Sequence, residues 1–235
     1  MKKLLSFVIG ILIMCSTVFG QSESTLKFLG IPIDGSKSKM IRALKAKGFE
    51  YDSESDFLIG DFNGKKSEIG IVDNRGKVYR VVVFDANTCD AEKIRIRFND
   101  LIHQFENNDK YFCIVPNDPI PEDEDIHYEI IVNKKQYIAE FIYNPLYNDN
   151  KLRNRLIKEA TESLEENDKM LGYDKSTDSD SEKDFYDGLI SAIVKSKVIQ
   201  MSNSSVWFKI FEHYGKYYIG IYYDNLINKP NGEDL

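Results

Sequence analysis

Residues able to do chemistry are present in this 235-residue chain, but they stand apart from one another. The three histidines, His103, His127 and His213, are isolated from each other and from any cysteine or acid at ligand spacing, so each reads as a helix-surface or hairpin residue. Cys89 has Asp90 as its neighbour, and an acid raises a thiol pKa instead of activating it. No serine sits in a nucleophile elbow. The stretch GDFNGKKS, Gly60 to Ser67, looks like a phosphate-binding loop, but three residues separate its glycines where four are needed, and a second lysine precedes the serine. An Asn63-Gly64 hairpin turn accounts for it better. DKSTDSDSEKD, Asp174 to Asp184, has oxygens at alternate positions as a calcium loop does, without the glycine at the sixth place or the glutamate at the twelfth; it reads as a solvated acidic linker. A hydrolase of glycans or peptides would need two facing acids, and Glu129 and Glu140 fall on facing strands of an expected hairpin. No catalytic residue, metal or cofactor is assigned on these grounds.

What the chain does concentrate is aromatic surface. YYIGIYY, Tyr217 to Tyr223, alternates as a strand whose Tyr217, Ile219, Ile221 and Tyr223 share one face while Tyr218, Gly220 and Tyr222 share the other. Core packing is the first reading of such a strand. The second is a ligand platform: Gly220 leaves a gap between Tyr218 and Tyr222 where a sugar ring or peptide side chain would lie, with Trp207 on the preceding strand as a further contact.

The elements that would position these residues are legible in pattern. SKSKMIRALKAKGF places Met40, Ile41 and Leu44 on one helical face and stops at Gly48. A three-stranded meander is expected at about 56–62, 66–72 and 77–84, turning at Asn63-Gly64 and in DNRG. From about 90 to 107, Ile94, Phe98, Leu101, Ile102 and Phe105 recur at helical spacing. PNDPIPEDEDIH, with three prolines and four consecutive acids, is the strongest internal boundary. Beyond it the pattern gives a hairpin near 127–143, helices near 150–171 and 182–198, and a hairpin near 205–223. Alternating helices and antiparallel hairpins predict an α+β fold, with antiparallel meander and hairpin units covered by amphipathic helices. The expected division is a leader at 1–20, an N-terminal unit at 21–115, a linker at 116–126 and a C-terminal unit at 127–235. Three segments beginning at Ser67, His127 and Trp207 share a strand, a loop, a lysine and an aromatic two positions on, which suggests a weakly repeated hairpin and two similar subdomains.

The first twenty residues carry Lys2 and Lys3, an apolar run from Leu4 to Met14 and small residues to Gly20, the layout of a secretory signal. Cys15 raises lipidation as an alternative, against which stands Met14 where a small residue is wanted. The expected product is soluble and exported, periplasmic or extracellular, with no transmembrane segment after signal removal. Loss of the two leader lysines lowers 31 basic residues to 29 against 38 acidic ones, a net charge of −9. Such a surface repels phosphate backbones, so nucleic acid is excluded as a partner. Cys89 and Cys113 remain; in an oxidising compartment they could pair, and two separate buried thiols are the alternative.

Phe28, GIPIDG from Gly30 to Gly35, the helix that follows and KGF from Lys47 to Phe49, together with the ending YYIGIYYDNLINKPNGEDL, resemble the two ends of a family of small secreted proteins of unknown function from gut Bacteroidetes. That resemblance brings no catalytic residues with it. The helix followed by a three-stranded meander is also similar to the building block of β-lactamase-inhibitor-protein-like and outer-membrane assembly lipoprotein folds, which bind other proteins. The expectation is a non-enzymatic exported module that presents a sheet face or edge to a protein or peptide partner. A hydrolase or carbohydrate-binding protein is the second reading, and a structural, envelope-associated role the third.

Overall fold

The computed structural model describes residues 25–113, 115–147, 149–171, 180–230 and 232. The expected leader with Cys15, and 172–179 of the acidic stretch, lie outside the described residues. Two compact units result: Thr25–Asn144 together with Ser202–Leu235, and Pro145–Met201.

The larger unit is built on short reversals. Strands β4 (Phe57–Phe62), β5 (Lys65–Asn74) and β6 (Lys77–Asp85) form the meander, and β9 (Ser204–His213) and β10 (Lys216–Asn225) form the last hairpin. Each connection is two residues long with both at positive φ: Asn63 and Gly64 at 49° and 71°, Arg75 and Gly76 at 51° and 79°, Tyr214 and Gly215 at 51° and 72°. This backbone matches the twist of the paired strands, and the second position goes to glycine because a Cβ there is strained.

The meander and the hairpin join through their last strands. β10 pairs antiparallel with β6 from Gly220↔Phe84 to Asp224↔Arg80. With β3 (Glu50–Asp52), β7 (Tyr111–Phe112) and β8 (Ile138–Tyr143), they give one eight-stranded sheet in the order β3-β4-β5-β6-β10-β9-β8-β7, antiparallel at every step. A two-stranded pair, β1 (Lys27–Phe28) and β2 (Ile31–Pro32), stands beside it in the chain. The fold is α+β.

Helix α1 (Lys37–Lys45) buries Met40 and Leu44, and α2 (Ala91–Glu106) buries Ile94, Phe98, Leu101, Ile102 and Phe105. Asp90 caps α2 by accepting from the Lys93 N–H at 2.9 Å. These stripes close over the sheet face that carries Ile69, Val81, Val83, Phe208, Ile219 and Ile221, forming one apolar cluster drawn from both halves of the chain.

The smaller unit contains α4 (Asn150–Leu171) and α5 (Asp180–Met201), and in sequence it interrupts the paired strands β8 and β9. Asp149 accepts from the Leu152 N–H at 2.8 Å at the start of α4. Leu152, Leu156 and Ala160 are buried at four-residue spacing, and Lys197 of α5 reaches Glu159 of α4 at 3.0 Å.

Three expectations are corrected. The segment expected as a hairpin at 127–143 begins as helix α3 (Ile126–Ile131), because Asp125 accepts from the Tyr128 N–H at 3.0 Å and caps it, and Ile126 and Ile130 pack on the core four residues apart. The threefold hairpin repeat therefore reduces to two copies, the ones that meet at β6 and β10. Nor does 116–126 separate two units: Asn99 of α2 holds Ile120 through both backbone groups, accepting from its N–H at 2.8 Å and donating to its C=O at 2.9 Å. The units part instead at Asn144 and Ser202, where the helical pair leaves and re-enters.

Candidate functional site

Alternation along β10 divides the tyrosines. Tyr217 and Tyr223 point into the core, and the Tyr217 hydroxyl shares a 2.8 Å hydrogen bond with His127 Nδ1. Tyr218, Tyr222 and Trp207 are brought together on the opposite face, as a platform would need. There, however, their rings are already engaged. Trp207 and Tyr222 are register partners with centroids 3.8 Å apart and planes within 4°. Tyr218 stacks on Phe211 at 5.2 Å, and Phe84 meets Phe211, Tyr218 and Tyr222 edge-on at 5.9, 6.1 and 6.1 Å. The gap expected at Gly220 is filled: a Cβ there would come within 2.8 Å of carbons of both Phe84 and Phe211.

Beneath this layer sits an ion pair invisible to sequence spacing. Arg80 donates to both oxygens of Asp224, at 2.6 and 2.7 Å, and Trp207 Nε1 adds a third bond at 3.1 Å. The guanidinium lies over Tyr222 at 5.2 Å and over Trp207 at 5.6 Å. Asp224 is 3% exposed, so its charge depends on these donors. The arrangement fixes the aromatic ladder.

The open geometry lies at the sheet edge. The Tyr137 C=O accepts from the Ile210 N–H at 3.2 Å, which sets the parity of β8 and turns the backbone groups of Ile138, Glu140 and Ile142 away from β9. Ile142 is covered by Phe112 of β7. Glu140 is covered by one side chain, since Asn117 Oδ1 accepts from its N–H at 3.0 Å and Asn117 Nδ2 donates to its C=O at 3.3 Å. Ile138 has no such cover among the described residues, and its side chain is 49% exposed.

Beside it runs a groove of about 740 Å3, with Pro116, Pro119 and Pro121 on one side and Tyr137, Ile138 and Glu140 on the other. Val115, 70% exposed, adds apolar surface. Glu124 accepts from both Lys135 and the Tyr137 hydroxyl. Those two bonds hold its carboxyl below the ordinary range, while burial and then Glu124 push the Tyr137 phenol up. Asp118, Glu124 and Glu140 face the single cation Lys135, so the groove is acidic.

The remaining sequence candidates do not converge. Glu129 lies on helix α3, bonded by Asn133 at 3.0 Å, while Glu140 lies on β8; the facing-strand acid pair does not exist, because the segment carrying Glu129 is helical. No disulfide joins Cys89 to Cys113. Cys89 is tied through its backbone to Tyr217, at 2.8 and 2.9 Å, and burial, then Asp90 and Asp85, push its thiol up. Asn117 Nδ2 lies 3.2 Å from Cys113 Sγ. His103 stands 3.7 Å from Glu106, and His213 packs on Tyr214 at 4.6 Å. Among the described residues no group of three or more His, Cys, Asp or Glu could hold a metal, and no helix is long and apolar enough to cross a membrane.

Sequence reasoning missed Asn117 and Ile138 because it treated the proline-rich segment as a linker. The prolines at 116, 119 and 121 were the available signal: a segment so poor in N–H groups cannot itself pair along a strand edge. No protein-family model, no curated protein and no solved structure matches the chain.

Proposed function

We propose that the protein is an exported, non-enzymatic interaction module that receives an extended segment of a partner protein along the outer edge of β8. One observation carries this reading: the backbone of Ile138 faces outward without a partner among the described residues, beside a groove walled by prolines, while the next two outward positions on the same edge are covered. Main-chain bonds to an added strand supply grip, and the groove supplies selectivity through alternate side chains. Its three acids against Lys135 favour a segment carrying lysine or arginine among apolar residues. Export rests on the lysine-led apolar start of the chain.

The test is a display screen of extended peptides against the full chain, followed by titration of the best binder. Ile138→Pro removes the outward N–H at an edge position where proline is tolerated. It is expected to abolish binding with the circular dichroism spectrum unchanged, and Glu140→Lys is expected to weaken binding most at low salt. A screen without binders, or a binder indifferent to Ile138→Pro, refutes the reading. A fixed oligomer on sizing chromatography would favour the structural role instead.

A further inference from the structure

A second cavity, of about 180 Å3, shares no residue with the β8 groove. Its apolar walls are Phe62, Leu101, Phe105 and Ile221. Its polar groups are the amides of Asn63, Gln104 and Asn108 and the phenols of Tyr111 and Tyr223; none of these nine side chains is charged.

Two features make this more than a packing gap. The first is Tyr223, 7% exposed, with its ring edge-on to Phe28 at 5.1 Å and Phe62 at 6.5 Å. Its hydroxyl makes no hydrogen bond among the described residues, and neither does that of Tyr111. Buried phenols ordinarily find a partner. The one sealed polar side-chain atom without a partner among the described residues is Arg97 Nε, so the Tyr223 oxygen reaches open space, which this cavity provides. Both phenols are O–H donors at neutral pH as any tyrosine is, and burial moves them further from ionisation, Tyr111 up to about 12 and Tyr223 up as well.

The second feature is the amide array. Asn63 Nδ2 donates to Gln104 Oε1 at 2.9 Å, and Asn108 Oδ1 accepts from the Lys110 N–H at 3.2 Å. Asn63 Oδ1, Gln104 Nε2 and Asn108 Nδ2 are thereby left over, one acceptor and two donors beside two phenols and the two phenylalanine walls, Phe62 and Phe105. Such a set suits a ligand whose hydroxyls both give and take hydrogen bonds and whose C–H face packs on rings. An anion would find no cation here. The volume equals that of about six waters at ≈30 Å3 each, the scale of one ring with its substituents.

We propose that this cavity, between α2, the Asn63 turn, β7 and β10, binds a single neutral sugar ring, with Tyr223 and Tyr111 donating from its floor and wall. The site is independent of the peptide edge, so either can stand without the other.

The test is an 1H–15N titration of the full chain with glucose, galactose, mannose and N-acetylglucosamine, each to high millimolar concentration, with inorganic phosphate alongside. At least one sugar is expected to move the Asn63, Gln104, Asn108 and Tyr111 resonances saturably and to raise the melting temperature in step with its concentration. Tyr223→Phe keeps the ring and is expected to weaken that binding about tenfold, one hydrogen bond's worth. Gln104→Ala, at an exposed position, is expected to weaken it as well. Tyr217→Phe, whose hydroxyl serves His127, and Ile138→Pro are expected to leave it unchanged. Titrations in which no sugar moves these resonances, in which phosphate moves them as strongly, or in which Tyr223→Phe binds like the parent overturn the proposal.

Discussion

Replacing Asp224 by alanine tests the reading of the aromatic face as a structure held by one ion pair. The carboxylate accepts two bonds from Arg80 and one from Trp207 while almost wholly buried. Removing it strands a guanidinium and an indole N–H together. Breaking a buried pair from one side costs about 3–5 kcal/mol, and because the Arg80 side chain keeps 24% of its exposure the lower end, about 3 kcal/mol, applies. For a unit of about 150 residues that is a fall in melting temperature of roughly 6–12 °C. The chain has one tryptophan, and it is Trp207, so urea denaturation followed by its fluorescence reads this site directly. Arg80→Met with Asp224→Leu removes both charges and is expected to recover most of the loss, to within about 1 kcal/mol of the parent, with the unserved indole N–H as the residue of the cost. If Asp224→Ala costs less than about 1 kcal/mol, or the double variant is as unstable as the sum of its parts, the pair does not hold this face.

Other consequences follow from the same geometry. Gly220→Ala drives a methyl into the Phe84 and Phe211 rings and is expected to destabilise by about 1–3 kcal/mol, read as an earlier urea midpoint with unchanged slope. Tyr214 holds φ 51° at 92% exposure, a conformation asparagine accepts more readily, so Tyr214→Asn is expected to stabilise by about 0.5–1 kcal/mol, and a neutral or adverse change would show that its ring contact with His213 matters more than the turn. Glu124 has its folded pKa depressed by Lys135 and Tyr137, so its contribution is fully present above the unfolded value of about 4.3 and is lost as pH falls through the folded value. Lys135→Met should therefore lower the urea midpoint at pH 7, with the gap to the parent closing as pH falls through the folded value of Glu124; a gap that is constant with pH contradicts the assignment.

Local signals carried much of the fold. Asn63-Gly64, the spacing of Ile94, Phe98, Leu101, Ile102 and Phe105, and the Leu152, Leu156 and Ala160 stripe each act within a few residues, and each yielded its element. Failure came where two readings shared one pattern. HYEIIV alternates well enough for a strand, and what selects the helix is a single cap, Asp125, with two isoleucines that find the core. The join of β6 to β10 pairs residues more than 130 positions apart, and Arg80 meets Asp224 across 144. No periodicity encodes such contacts. The candidate aromatics were rightly grouped on one face, but their mutual stacking depends on registers fixed only in the finished sheet.

Both sheet edges bear on how the β8 gap should be read. An exposed strand edge invites pairing with other chains, and proteins blunt it with short or charged strands and local cover. At one end β3 does this in three residues, two of them acids. At the other, β7 covers Ile142 and Asn117 covers Glu140, yet the flanking Pro116 and Pro119 lack the N–H groups with which this segment could go on to form a strand. The prolines thus keep the chain's own segment from closing the edge at Ile138, and the space between becomes the groove. One open residue offers a short ladder, so an added strand must draw most of its affinity from the groove's apolar and acidic walls. Such a design favours a partner selected by its side chains over indiscriminate pairing of strand with strand.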